Sequence, residues 1–195
     1  MLTFDEENHL YCFEGKPVQS VTQILKSAGL IDDQWFTEAA RRRGQYVHEA
    51  AQYLDEEDLN WENVDPILQP YLRAYEKFKA ETGFIPILIE KRLYNPTYQY
   101  AGTLDRTGVF KTRQEVLIDI KSGSVAPWAA LQLAGYNECL PKKLPRFALQ
   151  LNNDGTYKLY SFKDPMDHQI FLSVLAVVRW RQHHGGLKHG NNPGA

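Results

Sequence analysis

The sequence predicts a mixed α/β fold in a single domain. Three observations lead there. Apolar residues recur three or four apart between residues 34 and 82, the spacing of a helix face. Between residues 84 and 122 they sit in short β-branched and aromatic runs, the signature of strands. The chain has 195 residues of which 43% are hydrophobic, enough for one sizeable core and too little for two. No internal repeat, low-complexity block or linker marks a boundary, so residues 1–185 are expected to form one domain and residues 186–195 a flexible tail with little to pack.

The elements follow in order. TFDEENHLYCFEGKPVQSVTQIL holds two aromatic-containing segments around a polar stretch, read as a hairpin, and then a helix capped near Ser20 and ended by Gly29. Residues Gln34 to Asp55 are helix-forming, with Ala40, Gly44, Val47, Ala51 and Leu54 on one face. A second long helix follows Pro66, its apolar stripe being Leu68, Tyr71, Leu72, Tyr75 and Phe78. After Gly83 come three strands, FIPILIEKRLY, YQYAGTLDRTGVF and EVLIDIKSG, and then the helix PWAALQLAGYNECL. RFALQLNNDGTYKLYSF reads as two strands around an Asn-Asp-Gly turn, and an amphipathic helix closes the chain from about Pro165 to Gln182.

Composition excludes several classes. Two cysteines, Cys12 and Cys139, cannot assemble a disulfide framework or a cysteine-rich metal site, and both are read as buried thiols. The amino terminus, MLTFDEENHL, is acidic where a secretory signal would be basic and then apolar, and no apolar run is long enough to span a bilayer. A cytoplasmic protein without a membrane partner is therefore expected. The net charge of −2 gives no global attraction for nucleic acid, which would have to be held by local basic patches.

Chemistry concentrates around VLIDIKSG, residues 116–123. Strand alternation places Asp119 and Lys121 on the same face of an otherwise apolar strand. If the preceding strand folds back through Lys111, Thr112 and Arg113, residues whose numbers sum to about 224 face each other, and Asp105 falls opposite Asp119. Two neighbouring carboxylates repel each other unless a cation lies between them. Hard oxygen ligands favour magnesium or manganese, and Lys121 beside them could offset charge developing on a phosphate. A buried Asp-Lys ion pair is the plainer explanation of a bare D-x-K.

Other unusual placements flank it. Gly44 and His48 lie four apart on one helix face, and a glycine inside a helix points to close approach of a backbone or a phosphate. Glu90 is a charge among apolar residues in ILIEKRL; it could support a metal-bound water, bind a basic group or lie exposed on an edge strand. Gly102 permits a bulge or close approach next to Asp105, and Gln132 and Tyr136 share a helix face. Arg41, Arg42 and Arg43 could lead phosphates towards His48 or simply be a solvated face. Lys142 and Lys143, with Arg146, form a second basic cluster. Tyr94, Tyr98 and Tyr100 could stack on unpaired bases, although strand packing is the better reading for at least two of them.

Taken in order, G44-x3-H48-E49, E90, G102-x2-D105, D119-I120-K121 and Q132-x3-Y136 resemble the RecB-like branch of the PD-(D/E)XK nuclease superfamily, over roughly Val18 to Tyr136. The resemblance implies a central mixed sheet flanked by helices, with a restriction-endonuclease-like core. It also implies metal-dependent hydrolysis of DNA, with an exonuclease acting at DNA ends in phage or bacterial recombination, repair or processing as the specific expectation. His48, Asp105, Asp119 and the main-chain carbonyl of Ile120 would be ligands for Mg²⁺ or Mn²⁺, and the imidazole in that set favours manganese as activator. Lys121 would be the catalytic lysine, with Gln132 and Tyr136 supporting it and Glu90 beside the site. The partners implied are DNA ends or single strands and a single-strand-binding or recombination protein, in a bacterial or phage-infected cell. Two cysteines exclude the relatives that carry an iron-sulfur cluster. The competing class, a DNA-binding or assembly module that keeps the fold without the reaction, would be expected to lack a ligand or the lysine, and neither is missing here.

Overall fold

The computed structural model describes residues 1–6, 8–31 and 37–185. Strands β1 (Leu2–Asp5), β2 (Leu10–Phe13) and β3 (Lys16–Val18) form a small antiparallel sheet. The sequence predicts only the first two. Three residues that include Pro17 carry too little alternation to mark a strand. Helix α1 (Val21–Ser27) starts where expected, because Ser20 and Gln23 form a reciprocal capping box. Gly29 follows it with φ +76°.

Helix α2 (Glu38–Asp55) is capped by Thr37, and the expected start of this helix at Gln34 lies outside the described residues. After a short 3-10 helix at Trp61–Asn63 comes α3 (Gln69–Thr82), with a proline in its first turn and Gly83 in the left-handed region at its end. The main sheet then follows: β4 (Ile85–Asn95), β5 (Tyr100–Val109), β6 (Glu115–Lys121), helix α4 (Ala129–Asn137), β7 (Arg146–Leu151) and β8 (Tyr157–Phe162). Its strands lie in that order, antiparallel except that β6 and β7 run parallel. A parallel neighbour needs a crossover, and α4 supplies it. The result is the expected central mixed sheet flanked by helices.

Two apolar clusters clamp the sheet. Val47 and Ala51 of α2 and Leu72, Tyr75 and Phe78 of α3 pack on Val116, Ile118 and Ile120. On the other face α1, α4 and helix α5 (Met166–His184) gather around Tyr100, Leu104 and Leu117. The expected amphipathicity of α5 is weak: it buries Phe171, Leu175 and Val178 but leaves Ile170, Val177 and Trp180 exposed. Cys12 and Cys139 are free and half-buried, not fully buried as expected. Among the described residues no helix is long and apolar enough to cross a membrane.

Candidate active site

Strand β6 is the axis of the site. Val116, Ile118 and Ile120 face α2 and α3, so Leu117, Asp119 and Lys121 face the α4 side. The register with β5 is the one expected: Val109 pairs with Glu115, Thr107 with Leu117 and Arg106 with Ile118, each summing to 224. Pairing stops there. Ile120 N donates instead to Asp105 Oδ2, at 2.6 Å, so a carboxylate takes the place of a strand carbonyl and the two strands part around it.

The cause is a break in alternation. Leu104 packs on the α4 side, and Arg106, two residues on, reaches Asp55 and Tyr75 on the other, leaving Asp105 at the changeover. Opposite it in β4, Glu90 has φ +42°, a left-handed conformation that is rare inside a strand and costs of the order of 1–3 kcal/mol. Its carboxylate accepts from Arg106 Nη1 at 2.8 Å.

Helix α2 brings His48 onto this opening. Its Nε2 lies 2.9 Å from the Ile120 carbonyl oxygen, and its Nδ1 is 3.4 Å from Glu90 Oε1 and 3.6 Å from Asp105 Oδ2. Burial opposes a charge on this imidazole, but Asp105 and Glu90 outweigh it and hold its pKa up at about 9. The Ile120 carbonyl can only accept, so Nε2 donates to it, and the raised pKa favours a second proton on Nδ1, facing the two carboxylates. Burial pushes the Asp105 carboxyl well above the usual range; the His48 charge opposes this, and Asp119 and Glu90 add to it. Burial also raises Glu90, yet its bonds with His48 and Arg106 more than offset that and hold it low.

Donor atoms of His48, Glu90 and Asp105 all lie within 4.8 Å of one another. One imidazole and two carboxylates beside a main-chain carbonyl fit a divalent cation of the magnesium or manganese type. Asp119 stands next to this trio. Its buried Oδ2 is 2.7 Å from Lys121 Nζ as an ion pair, so the partner this carboxylate has is the lysine, and it is not one of the three residues whose donor atoms converge.

Helix α4 braces the lysine. Lys121 Nζ donates to Gln132 Oε1 at 3.1 Å, and Gln132 Nε2 donates to the Tyr136 hydroxyl one turn on, also at 3.1 Å. Gly102 makes room for this bracket: a Cβ there would stand 2.7 Å from Tyr136 Cε1. The predicted close approach at Gly102 is thus to the Tyr136 ring. At Gly44 it does not take that form, because a Cβ would meet only Ser122 Oγ, at an ordinary 3.6 Å.

The arginines divide. Arg41, Arg43 and Gly44 line the cleft beside His48, with Arg43 Nη2 donating to Ser122 O at 3.4 Å, whereas Arg42 turns outward to Glu38. Lys142 and Lys143 are not brought to the cluster. Lys142 pairs with Glu115 at the start of β6, about 13 Å along the strand from Asp119, and Lys143 pairs with Glu138 at the end of α4. Tyr94 stacks on Phe13, Tyr98 packs against the α4-side cluster, and Tyr100 is buried with its hydroxyl on Gly135 O, so all three are packing residues.

No protein-family model matches the chain, and no curated protein matches it. Among solved structures it is similar to an alkaline exonuclease from Laribacter hongkongensis, at 15% identity over 86% of this chain and 92% of that chain with a TM-score of 0.42. It is also similar to SSO0001, at 13% identity over 80% and 83% with a TM-score of 0.38.

Two buried residues escape the sequence reading. The Arg106 side chain is fully buried between Asp55 (Nε to Oδ2, 2.7 Å) and Glu90, and Asp55 also accepts from Tyr75 at 2.7 Å and Lys79 at 2.6 Å. Asp55, the last residue of a helix, and Arg106, in a strand, each look like ordinary surface charges, and their partners lie 51 and 16 residues away. The only local signal is that Arg106 directly follows Asp105 among β-strand residues.

Proposed function

We propose that this chain is a metal-dependent deoxyribonuclease of the PD-(D/E)XK type, hydrolysing phosphodiester bonds at DNA ends. The observation that carries the reading is the convergence of His48, Glu90, Asp105 and the Ile120 carbonyl beside the Asp119–Lys121 pair. His48, Asp105, Asp119 and Ile120 O would hold Mg²⁺ or Mn²⁺, with Glu90 alongside. A bound divalent ion supplies a water made acidic enough to attack at neutral pH and neutralises charge on the phosphate.

The chain's own residues do the rest. Lys121 is kept charged: burial works against its ammonium, but the carboxylates of Asp119 and Asp105 raise its pKa further. Held by Asp119 and Gln132, it offsets negative charge developing on the phosphate oxygens. Arg106 fixes Glu90 against His48, and Tyr136 fixes Gln132 against Lys121. Arg41 and Arg43, on the wall of the cleft, would receive flanking phosphates.

The test incubates end-labelled linear and closed circular DNA, single and double stranded, with Mg²⁺, Mn²⁺ or a chelator, for the wild type, Asp119→Ala and Lys121→Ala. Linear DNA should be degraded only with metal, faster with manganese, and each variant should lose about 100-fold or more. Cleavage in the presence of the chelator, or full activity in both variants, would sink the mechanism. Degradation of closed circles would overturn the restriction to ends.

A further inference from the structure

The cleft over Lys121 has a volume of about 220 Å³. One wall is α2, where Ala40 and Gly44 present little side chain; the other is the segment from Ser122 to Trp128. Trp128 is the one aromatic residue among those lining it. The indole packs partly against the apolar cluster of α1, α4 and α5, and Lys121 Nζ lies over its ring, 5.4 Å from the ring centre. Pro127, immediately before it, restricts the backbone that carries it. The space nearby is open: a Cβ on Gly123 would meet nothing within 4 Å.

We propose that Trp128 is a stacking platform for one unpaired nucleobase next to the scissile phosphate, so that the substrate is a single DNA strand or a frayed end. The inference rests on the nuclease reading and deepens it. The cleft holds about seven waters' worth of space, which suits a single base and its sugar. Because the Lys121 ammonium lies over the indole, a base that stacks there would adjoin the phosphate held at Lys121. Stacking is indifferent to base identity, since every base has a π-face, and the platform would act on any sequence.

The full chain is tested as wild type, Trp128→Phe and Trp128→Ala. One arm measures binding of a fluorescein-labelled oligodeoxythymidine by anisotropy without added metal. The other measures steady-state cleavage with Mn²⁺ of the same strand, of strands carrying one abasic site at successive positions, and of a blunt duplex. Trp128→Ala should weaken binding and raise KM by about 5- to 100-fold, with the loss falling on KM rather than kcat, while the phenylalanine retains most of the affinity. An abasic site at one position relative to the cut should raise the wild-type KM by a similar factor and remove the difference between wild type and Trp128→Ala. A fall in kcat at unchanged KM, with no abasic position felt by the wild type, would show that the indole only seats Lys121 and would overturn the subsite; so would a blunt duplex cut with the KM of the single strand. If the wild type cleaves no DNA with any metal, the nuclease reading fails, and the anisotropy arm still decides whether Trp128 holds a base.

Discussion

His48 has an acceptor at each ring nitrogen, the Ile120 carbonyl at Nε2 and carboxylates at Nδ1, so without metal its proton does the work a cation would do among those oxygens. A metal held there as proposed would therefore compete with that proton for one place. The folded-state pKa of about 9 lies above the ordinary 6.5. The sign follows: the imidazolium stabilises the metal-free fold fully below pH 6.5, and that contribution is lost as the pH rises through about 9. Metal-free protein should melt at progressively lower temperature across this window, and Mn²⁺ affinity measured by titration calorimetry should rise over the same range. His48→Gln should flatten both profiles. A wild-type Mn²⁺ affinity independent of pH between 6.5 and 9 would refute the competition.

At the scale of elements, β6 was the most legible part of the chain and β4 the least. D-x-K in an apolar run fixes which face each charge takes, and the sum of 224 sets its neighbour on β5, because strand geometry repeats every two residues. Helix α4 was legible for the same kind of reason, its Gln132 and Tyr136 being one turn apart. Glu90 was not. Its role depends on a left-handed backbone conformation in mid-strand that no local pattern announces, and on a fork from Arg106 on the neighbouring strand. The ion pairing of Lys142 was not legible either, because basic residues in sequence reveal nothing of Glu115, 27 residues before its lysine partner. The fit of α4 on β5 is testable at Gly102. In Gly102→Ala the new methyl would press on the Tyr136 ring, and the Gln132 bracket would move with it, carrying Lys121. A stability loss of about 1–3 kcal/mol in urea denaturation is expected. The proposed nuclease activity should fall further than the folded fraction at the assay temperature. Normal activity per folded molecule would show that the bracket does not depend on that seat.

Across the whole molecule, the buried ions around Arg106 tie α2, α3, β4 and β5 together, through Asp55, Tyr75, Lys79 and Glu90. Removing one member leaves the others uncompensated. Arg106→Met should cost about 3–5 kcal/mol of stability by denaturant melts, since Asp55 keeps only Tyr75 and Lys79, and Asp55→Asn should cost less because its shape and one acceptor remain. Stability unchanged in Arg106→Met would mean that apolar packing compensates for the lost pair. The overall fold was largely readable from periodicity, whereas this hub was not, because long-range charge pairing leaves no period in the sequence. The splay of β5 from β6 at Asp105 also sets an order of events in refolding. Residues 115–162 form a contiguous unit of strand, crossover helix and hairpin, and bring Asp119, Lys121, Gln132 and Tyr136 together from nearby in the chain. His48 meets Ile120 only across 72 residues, a closure that carries a larger loop entropy. The lysine bracket is thus expected to form early and the histidine to arrive late, so that in stopped-flow refolding the capacity to bind Mn²⁺ should appear only with the slowest phase, well after most of the secondary structure has returned.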